Sequence, residues 1–231
     1  MKIHGLQKMT LLDYPGKVAC TVFLGGCDFR CPYCHNAELW NGLCPPLMEE
    51  EELLAFLQKR RGLLDGVAVT GGEPLLQKEL PALLARIRDM GFSIKLDTNG
   101  THPERLRTLM EEGLADYVAM DIKNSQEKYA ETVGLPHLDL APVKESVSLL
   151  LEGRVPYEFR TTVCRELHKD ANILSIAQWI QGASAYYIQP FTDRDTVPCH
   201  TLHAPEKTAL KGFISIAAPY VSLVSLRGES L

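Results

Sequence analysis

The sequence has no long apolar run and no surplus of basic residues. It carries 24 Lys and Arg against 29 Asp and Glu over 231 residues, a net charge of -5, without a dense basic stripe, and this disfavours nucleic acid as a partner. No apolar stretch approaches the roughly eighteen residues of a membrane span. Residues 1–16 contain Asp13, Pro15 and Gly16 and lack the apolar core of a signal peptide. We therefore expect a cytoplasmic protein that binds neither nucleic acid nor membrane.

Internal repeats, low-complexity tracts and long linkers are also missing. A chain of this length, 45% hydrophobic and 23% charged, can bury one substantial globular core. Its seven cysteines are odd in number and concentrated near the front. That distribution fits a reducing compartment and metal chemistry better than a disulfide framework.

Three of the cysteines lie in one short loop that follows the apolar run Val18 to Leu24. Cys27, Cys31 and Cys34 are spaced Cys-x3-Cys-x2-Cys, so one loop can supply all three thiolates to an iron-sulfur cluster. A four-iron cubane normally takes four thiolates, and a local count of three leaves one iron open to a substrate, as catalytic metal sites keep a position free. From the cysteines alone, a structural zinc site with Cys44 as fourth ligand, or three unconnected thiols, stays open.

The rest of the chain alternates between short β-rich runs and amphipathic runs of helical period, which predicts βα units and a parallel sheet. The expected strands are Lys17 to Leu24, Gly66 to Thr70, Phe92 to Leu96, Tyr117 to Asp121, Tyr157 to Val163, Ala185 to Gln189 and Val221 to Leu226. The expected helices are Glu49 to Arg60, Gln77 to Met90, Pro103 to Glu112, Pro142 to Glu152, Asn172 to Gln181 and Pro205 to Ile216.

Six βα units are too few to close an eight-stranded barrel. We therefore predict an α/β fold, a curved and partly open (β/α)6 barrel in a single domain spanning 1–231, with its ligand at the carboxyl ends of the strands. Within it, residues 1–16 form an N-terminal extension, about 17–200 the barrel, and about 201–231 a C-terminal helix and strand.

Polar motifs follow several of these strands. Gly71, Gly72 and Glu73 come after the second strand, where glycines let the backbone approach a ligand and Glu73 can accept a hydrogen bond from an ammonium group. Asp97 and Thr98 end the third strand, and Asp121 and Lys123, two residues apart, share one face at the end of the fourth. The alternative for Gly71 to Glu73 is a plain glycine-rich turn, and for Asp97 it is an Asp-x-Asn-Gly turn. For Asp121 and Lys123 it is a solvated strand end.

Two later strands add polar candidates, and a few other residues have the chemistry of ligands. Glu158, Arg160 and Thr162 form a polar row on the fifth strand, and the sixth ends in Gln189-Pro190-Phe191-Thr192. Cys199, His200 and His203 are metal-ligand types that precede a helix start, and Cys44 lies in a proline-rich loop; we do not expect a metal at either place.

Together these motifs resemble the radical S-adenosylmethionine (SAM) superfamily. The cysteine spacing with Tyr33 before the last cysteine is similar to its signature, and the string Tyr33-Cys34-His35-Asn36 is typical of glycyl-radical-enzyme activators. The stretch Gly5 to Gly16 resembles the start of activating proteins of anaerobic ribonucleoside-triphosphate reductase. The resemblance implies the partial (β/α)6 barrel, and a [4Fe-4S] cluster on Cys27, Cys31 and Cys34 whose open iron binds SAM.

The resemblance also implies where SAM is held. Gly71, Gly72 and Glu73 match the motif that holds the methionyl amino group, Lys123 would meet the SAM carboxylate or a ribose oxygen, and Arg160 matches an arginine beside SAM. Thr192 stands where some relatives have a SAM-contacting histidine, which puts that contact in doubt. The full set of expected cofactor contacts is Tyr33, His35, Gly71, Gly72, Glu73, Asp97, Thr98, Asp121, Lys123, Arg160 and Gln189.

Asp97 and Asp121 would be two carboxylates on neighbouring strands, which need a cation or proton between them to coexist when buried. In the activators that the chain resembles, two such aspartates help to bind a monovalent cation next to SAM. A monovalent cation near Asp97 and Asp121 is therefore expected.

Enzymes of this kind reduce SAM through the cluster, release methionine and a 5'-deoxyadenosyl radical, and take a hydrogen atom from a glycine of a partner enzyme. The expected partners are an anaerobic ribonucleotide reductase and an electron donor such as flavodoxin or ferredoxin. No further cysteine cluster follows the loop, so the ferredoxin-like insertion of some activators is not expected. A small-molecule radical SAM enzyme such as a 7-carboxy-7-deazaguanine synthase is the alternative of the same superfamily, and a structural zinc or redox-sensing protein is the non-enzyme alternative.

Overall fold

The computed structural model describes residues 1–228 as alternating strands and helices. The strands are β1 Lys2–Ile3, β2 Gly5–Thr10, β3 Ala19–Leu24, β4 Met48–Glu49, β5 Gly66–Gly71, β6 Ser93–Thr98, β7 Tyr117–Asp121, β8 Tyr157–Val163, β9 Tyr186–Pro190 and β10 Val224–Leu226. The α-helices are α1 Ala37–Asn41, α2 Glu50–Gln58, α3 Leu80–Asp89, α4 Pro103–Glu111, α5 Tyr129–Thr132, α6 Ala141–Leu151, α7 Asp170–Trp179 and α8 Lys207–Ala217.

Two compact units share these elements. The first comprises Met1–Asp28, Glu38–Ala119 and Arg154–Pro156, and its main strands follow the order β2-β3-β5-β6-β7. The strand β2 pairs antiparallel with β3, whereas β3 with β5 and β5 with β6 are parallel. The small strands β1 and β4 form a separate antiparallel pair.

The second unit comprises Phe29–Ala37, Met120–Gly153 and Tyr157–Leu231. Its strand order is β7-β8-β9-β10, because the last residues of β7 belong to this unit. The pairs β8 with β9 and β9 with β10 are parallel. The α/β class and parallel sheet expected from the sequence are confirmed, with the element order of a partial (β/α)6 barrel.

The sequence explains the main elements. The strand β3 is buried at five of its six residues, and β5 is a short apolar run buried at its first four, as strands covered on both faces require. The helix α3 buries Leu80, Leu83, Leu84 and Ile87, a spacing that places all four on one helical face.

Strand register in the first unit determines where the polar motifs lie. Leu24, the last residue of β3, pairs with Gly71 at the end of β5, so the cysteine loop and the glycine turn start side by side. Because β6 is parallel to β5, its end at Asp97 and Thr98 lies at the same edge. The first unit therefore gathers its predicted site residues at the carboxyl ends of its strands.

The structure differs from the sequence expectation mainly near the N-terminus. Residues 1–16 were expected only as an extension, but they contain β1 and β2. Strand and helix bounds otherwise differ by a few residues, and the last strand begins at Val224 instead of Val221. The end of the predicted C-terminal region, 229–231, lies outside the described residues.

Across residues 1–228, no helix combines the length and apolar character that crossing a membrane requires.

Candidate functional site

The glycine turn after β5 is fastened directly to the start of the cysteine loop. The backbone N–H of Gly72 donates to the carbonyl of Leu24 over 2.9 Å, and that of Glu73 donates to the carbonyl of Gly26 over 2.7 Å. A Cβ added to Gly72 would lie 1.8 Å from the oxygen of Gly26, so only glycine permits this approach. Two motifs about 45 residues apart in sequence thus meet next to Cys27.

Glu73 is fully buried and linked to the end of β6. Its Oε1 accepts hydrogen bonds from the backbone N–H of Leu75 at 3.0 Å and from Oγ1 of Thr98 at 2.9 Å, and its Oε2 accepts from the N–H of Asn99 at 2.7 Å. Burial raises the pKa of Glu73 to about 7, although these hydrogen bonds favour the charged form. Three of the roughly four acceptor positions of a carboxylate are therefore used by the chain itself.

Asn99 is a site residue that the sequence did not reveal. Its Nδ2 donates to Sγ of Cys27 at 3.7 Å. Its Oδ1 accepts from the backbone N–H of Thr101 at 3.0 Å and from Oγ1 of Thr101 at 2.6 Å. Because the oxygen has these donors, the NH2 group is the end that faces the sulfur. The only feature of the sequence that could have indicated Asn99 is its place in the Asp-Thr-Asn-Gly string.

Asp97 pairs with a lysine that sequence reasoning also missed. The Nζ of Lys95 donates to Oδ1 of Asp97, as expected for residues two apart on one face of a strand. Lys95 is fully buried, with 0% of its side chain exposed, and Asp97 is 14% exposed. The carboxylate of Asp97 thus already has a cationic partner.

In the second unit, Asp121 lies between two cations. Its Oδ1 accepts from Nε of Arg160 at 2.8 Å, and its Oδ2 accepts from Nζ of Lys123 at 2.9 Å. Burial alone would raise the pKa of Asp121, but Arg160 and Lys123 hold it far below its usual range. The polar row of β8 therefore faces the same side as the end of β7. The expected monovalent cation has no support at Asp97 or Asp121, because each carboxylate already has a side-chain cation.

Burial and neighbouring charges shift the pKa values of two further predicted contacts, Lys123 and Tyr33. Burial would lower the pKa of Lys123, but Asp121 and Cys31 raise it. Burial raises the pKa of Tyr33 well above its usual value. Within residues 1–228 the buried Tyr33 hydroxyl has no hydrogen-bond partner, and an isolated hydroxyl is costly to bury.

His35 ties the cysteine loop to the segment after β9. Its Nε2 lies 2.6 Å from the carbonyl oxygen of Thr192, and its ring centroid is 5.9 Å from that of Phe191. Thr196 Oγ1 donates to the His35 carbonyl at 2.7 Å. The imidazole of His35 thus positions the loop through Thr192, the residue that stands in place of a histidine in some activators.

A glycine at the end of α5 holds the loop from another side. Arg30 N–H donates to the carbonyl of Val133 at 2.8 Å. Gly134, with φ +69°, approaches Arg30 so closely that a Cβ would lie 2.4 Å from its carbonyl oxygen. The backbone between Cys27 and Cys31 is thereby fixed by a residue about 100 positions away in sequence.

The remaining candidates lie elsewhere. Gln189 is half-buried in β9 and pairs in register with Thr162 of β8. The other ligand-type residues contact separate partners: Cys44 Sγ with the His4 carbonyl at 3.7 Å, Cys199 Sγ with Thr201 Oγ1 at 3.1 Å, His200 with Asp193 at 2.9 Å and His203 with Glu166 at 3.0 Å. Across the described part of the chain, no three His, Cys, Asp or Glu side chains are grouped to hold a metal ion.

The chemistry of the residues nevertheless fits a thiolate-bound cluster with SAM. All seven cysteines lie within 1–228, and three share one loop. The buried Tyr33 hydroxyl and the Lys123 ammonium, which has three donors, are polar groups that a ligand could use. Glu73 keeps an acceptor position near the turn that adjoins Cys27.

Comparison with known proteins agrees with this chemistry. Residues 21–174 match the sequence profile of the Radical SAM superfamily. A protein of Methanocaldococcus jannaschii with the provisional name glycyl-radical enzyme activating enzyme is 32% identical over 97% of this chain and 95% of its own length. A 7-carboxy-7-deazaguanine synthase of Thermococcus kodakarensis is 30% identical over 76% of this chain and 75% of its own.

Solved structures support the fold. A radical SAM methyltransferase from Sphaerobacter thermophilus superimposes with a TM-score of 0.72 at 17% identity, covering 95% of this chain and 69% of that one. At that identity the likeness concerns the fold alone. The matched profile covers the cysteine loop, the glycine turn and the ends of β6 to β8, where the structure places the contacts described above. The chain is a member of the radical SAM superfamily.

Proposed function

We propose that this enzyme is an activase that uses a [4Fe-4S] cluster to cleave SAM reductively and generate a glycyl radical on a partner, an anaerobic ribonucleoside-triphosphate reductase. The radical SAM part rests on one observation: the glycine turn is fastened to the loop that carries Cys27. The activase part is supported by the relative from Methanocaldococcus jannaschii, which matches nearly the whole chain, and by the Tyr33-Cys34-His35-Asn36 string.

In this proposal Cys27, Cys31 and Cys34 are the cluster ligands. The bound cluster and SAM supply the one-electron cleavage chemistry, and the chain supplies binding, orientation and exclusion of water. Asn99 donates to the Cys27 sulfur, and such donors set the electronic properties of thiolate ligands. His35 and Gly134 hold the loop backbone in place.

The proposed SAM-binding roles are supported by the charges of these side chains. Lys123 and Arg160, oriented by Asp121, offer positive groups to a carboxylate. Glu73 offers its remaining acceptor position to an amino group, with Gly71 and Gly72 beside it and Thr98 fixing the carboxylate. Tyr33 and Gln189 complete the proposed cofactor contacts.

The proposal also names the other participants in the reaction. A flavodoxin or ferredoxin would deliver the electron, and the substrate is a glycine in a loop of the partner. The reaction takes place in the cytoplasm, where a reducing environment keeps thiols reduced.

The test is activation of the partner under anaerobic conditions. The cluster-loaded protein, SAM and a reductant are mixed with an anaerobic ribonucleotide reductase from the same cell. We expect the doublet electron paramagnetic resonance signal of a glycyl radical on the partner. A partner whose loop glycine is changed to alanine is the control and should give no signal.

A second candidate, 7-carboxy-7-deazaguanine synthesis, is favoured by the 30% identity to the Thermococcus kodakarensis enzyme. It predicts turnover of a pterin with magnesium and without any protein partner. Pterin turnover combined with the absence of a glycyl radical on any glycyl radical enzyme of the host would replace the activase proposal by this one.

A further inference from the structure

A buried histidine in the second unit contacts the backbone of Lys123, and the proposed function gives it no role. His168 lies between β8 and α7, with 1% of its surface exposed. Its Nε2 lies 2.9 Å from the carbonyl oxygen of Lys123, and its Nδ1 lies 3.0 Å from the backbone nitrogen of Cys164. The imidazole thus bridges the segments that follow β7 and β8.

The two contacts determine which ring nitrogen of His168 carries the proton. The Lys123 carbonyl can only accept, so Nε2 donates to it, and the backbone N–H of Cys164 can only donate, so Nδ1 accepts. Nδ1 also lies 3.3 Å from the Cys164 carbonyl oxygen, but a proton on Nδ1 would exclude the shorter contact with the N–H. Burial lowers the pKa of His168, which favours the neutral ring. His168 is therefore neutral, with its proton on Nε2 and both nitrogens hydrogen-bonded.

The bond from His168 reaches the chain where the strand has ended. The strand β7 ends two residues before Lys123, and the residue between them is still held from β8. The N–H of Ile122 donates to the carbonyl of Arg160 at 2.8 Å, and its carbonyl accepts from Oγ1 of Thr161 at 2.7 Å. At the next residue the bond comes from the imidazole. His168 therefore holds the backbone of Lys123 in the place where a longer strand would have done so.

Joining the two segments does not by itself require a histidine. Asn124 Nδ2 donates to the carbonyl of Leu167 at 3.0 Å, and Asn172 Nδ2 donates to Oγ of Ser125 at 3.3 Å. Other side chains thus already connect the turn after β8 and the helix α7 with the segment after β7. What His168 adds is a bond to the residue that carries the ammonium, which distinguishes it from a histidine that only fills the core.

Lys123 is anchored at both ends by this arrangement. Its Nζ donates to Oδ2 of Asp121 at 2.9 Å, and its carbonyl accepts from His168. Ordering a long, flexible side chain on binding costs free energy, and an anchored side chain has less of that cost left to meet. A ligand carboxylate would therefore meet an ammonium that is already in place.

We infer that His168 is a positioning residue for SAM binding, which acts by holding the Lys123 carbonyl so that the ammonium is preorganised for the SAM carboxylate. The inference rests on the proposed function and deepens its SAM-binding part. It requires that the effect of His168 on SAM binding pass through Lys123.

The first test measures the affinity of the cluster-loaded protein for SAM by calorimetry. His168→Leu removes the bond to Lys123, so we expect a dissociation constant roughly three- to tenfold higher, the scale of ordering one long side chain. His168→Gln can place an amide N–H near the position of Nε2 and should restore most of the affinity, whereas the shorter His168→Asn should not. His137→Leu, at an exposed histidine before α6, is the matched control and should leave the affinity unchanged.

The second test asks whether the effect passes through Lys123. Lys123→Met removes the ammonium, and in that background His168→Leu should cause no further loss of SAM affinity, because the two residues act as a unit. A histidine that only supported the fold would weaken SAM binding by the same factor in both backgrounds. That result would overturn the inference.

A third measurement needs neither cluster nor SAM. Nitrogen NMR of the metal-free protein with isotope-labelled histidine should show His168 near neutral pH as an uncharged ring with its proton on Nε2. A proton on Nδ1 would mean that His168 does not donate to the Lys123 carbonyl, and the inference would be wrong. If His168→Leu does not fold, the contrast in SAM affinity between His168→Gln and His168→Asn decides.

Failure of the inference and failure of the proposed function give different results. If the unchanged, cluster-loaded protein binds no SAM, the proposed function is wrong and the inference fails with it. If that protein binds SAM and His168→Leu binds it equally well, the inference alone is wrong.

Discussion

Asn99 shows how a single side chain connects the strand ends in the first unit. Its backbone N–H donates to Glu73, its amide oxygen accepts from Thr101, and its NH2 group donates to the Cys27 sulfur. One residue is therefore hydrogen-bonded to the glycine turn, to the segment after β6 and to a proposed cluster ligand.

Loss of this amide should change the cluster potential. An N–H donor to a thiolate ligand stabilises the more negative, reduced cluster, so Asn99→Ala should lower the midpoint potential measured by a redox titration followed by electron paramagnetic resonance. Asn41→Ala, an exposed asparagine at the end of α1, is the control and should leave the potential unchanged. Equal potentials for all three proteins would mean that Asn99 does not act on a cluster ligand.

Glu73 should make stability depend on pH. Burial raises its pKa from the usual 4.5 to about 7, so the folded state binds its proton more tightly than the unfolded state. The contribution of Glu73 to stability is present below about pH 4.5 and is lost as pH rises through about 7. One pKa unit corresponds to about 1.4 kcal/mol, so the total is a few kcal/mol.

The measurement is urea unfolding of the metal-free, reduced protein across this pH range. The free energy of unfolding of the unchanged protein should fall with pH relative to that of Glu73→Gln, which cannot titrate. The comparison uses how stability changes with pH and not the absolute stability of Glu73→Gln, because the glutamine NH2 group replaces a carboxylate oxygen that accepts a hydrogen bond. Parallel pH curves for the two proteins would contradict the raised pKa.

At the scale of elements, the short strand β10 is held by an arginine that follows it. Arg227 Nη1 and Nη2 donate to Oε1 and Oε2 of Glu158 at 2.5 and 2.8 Å, and its guanidinium lies 4.2 Å from the ring centroid of Tyr187. Its backbone N–H donates to Ile188 at 3.0 Å. Arg227 thus connects the end of the three-residue strand β10 to the fully buried carboxylate of Glu158 in β8 and to the ring of Tyr187 in β9.

Arg227→Met should therefore destabilise the protein. Breaking a buried ion pair from one side costs about 3 kcal/mol or more, and urea unfolding measures it. The exposed Arg61 offers a matched control, since Arg61→Met should stay within about 0.5 kcal/mol of the unchanged protein. Equal effects of the two substitutions would show that Arg227 does not hold β10.

At the scale of the whole molecule, the proposed composition is one cluster per chain. Anaerobic reconstitution should give about four iron atoms per chain, and Cys27→Ser, Cys31→Ser or Cys34→Ser should each abolish cluster formation and SAM cleavage. Cys44→Ser should keep both, because the Cys44 thiol contacts the His4 carbonyl. Loss of iron in Cys44→Ser with retention in Cys31→Ser would reverse the ligand assignment.

The sequence predicts most of this fold because local pattern determines most of it. The bounds of β7 and β8 match the sequence expectation at both ends, since β7 is a short apolar run that ends at Asp121 and β8 alternates polar and apolar residues directly after Pro156. The strand β2 was missed because Gly5–Thr10 is a largely polar, exposed edge strand that exists through its pairing with β3. Lys95 and the His35 contact with Thr192 were missed because burial of a lysine and contacts between distant segments depend on tertiary structure.

Gly134 limits which substitutions this sequence can tolerate. Several other glycines with positive φ, such as Gly91, Gly153 and Gly182, have open space where a Cβ would lie, and asparagine is a tolerable replacement at such positions. Gly134 has both a positive φ and the Arg30 carbonyl against it. In a saturation library it should accept no replacement, so a position with no chemistry of its own would be counted together with the essential residues of the cysteine loop.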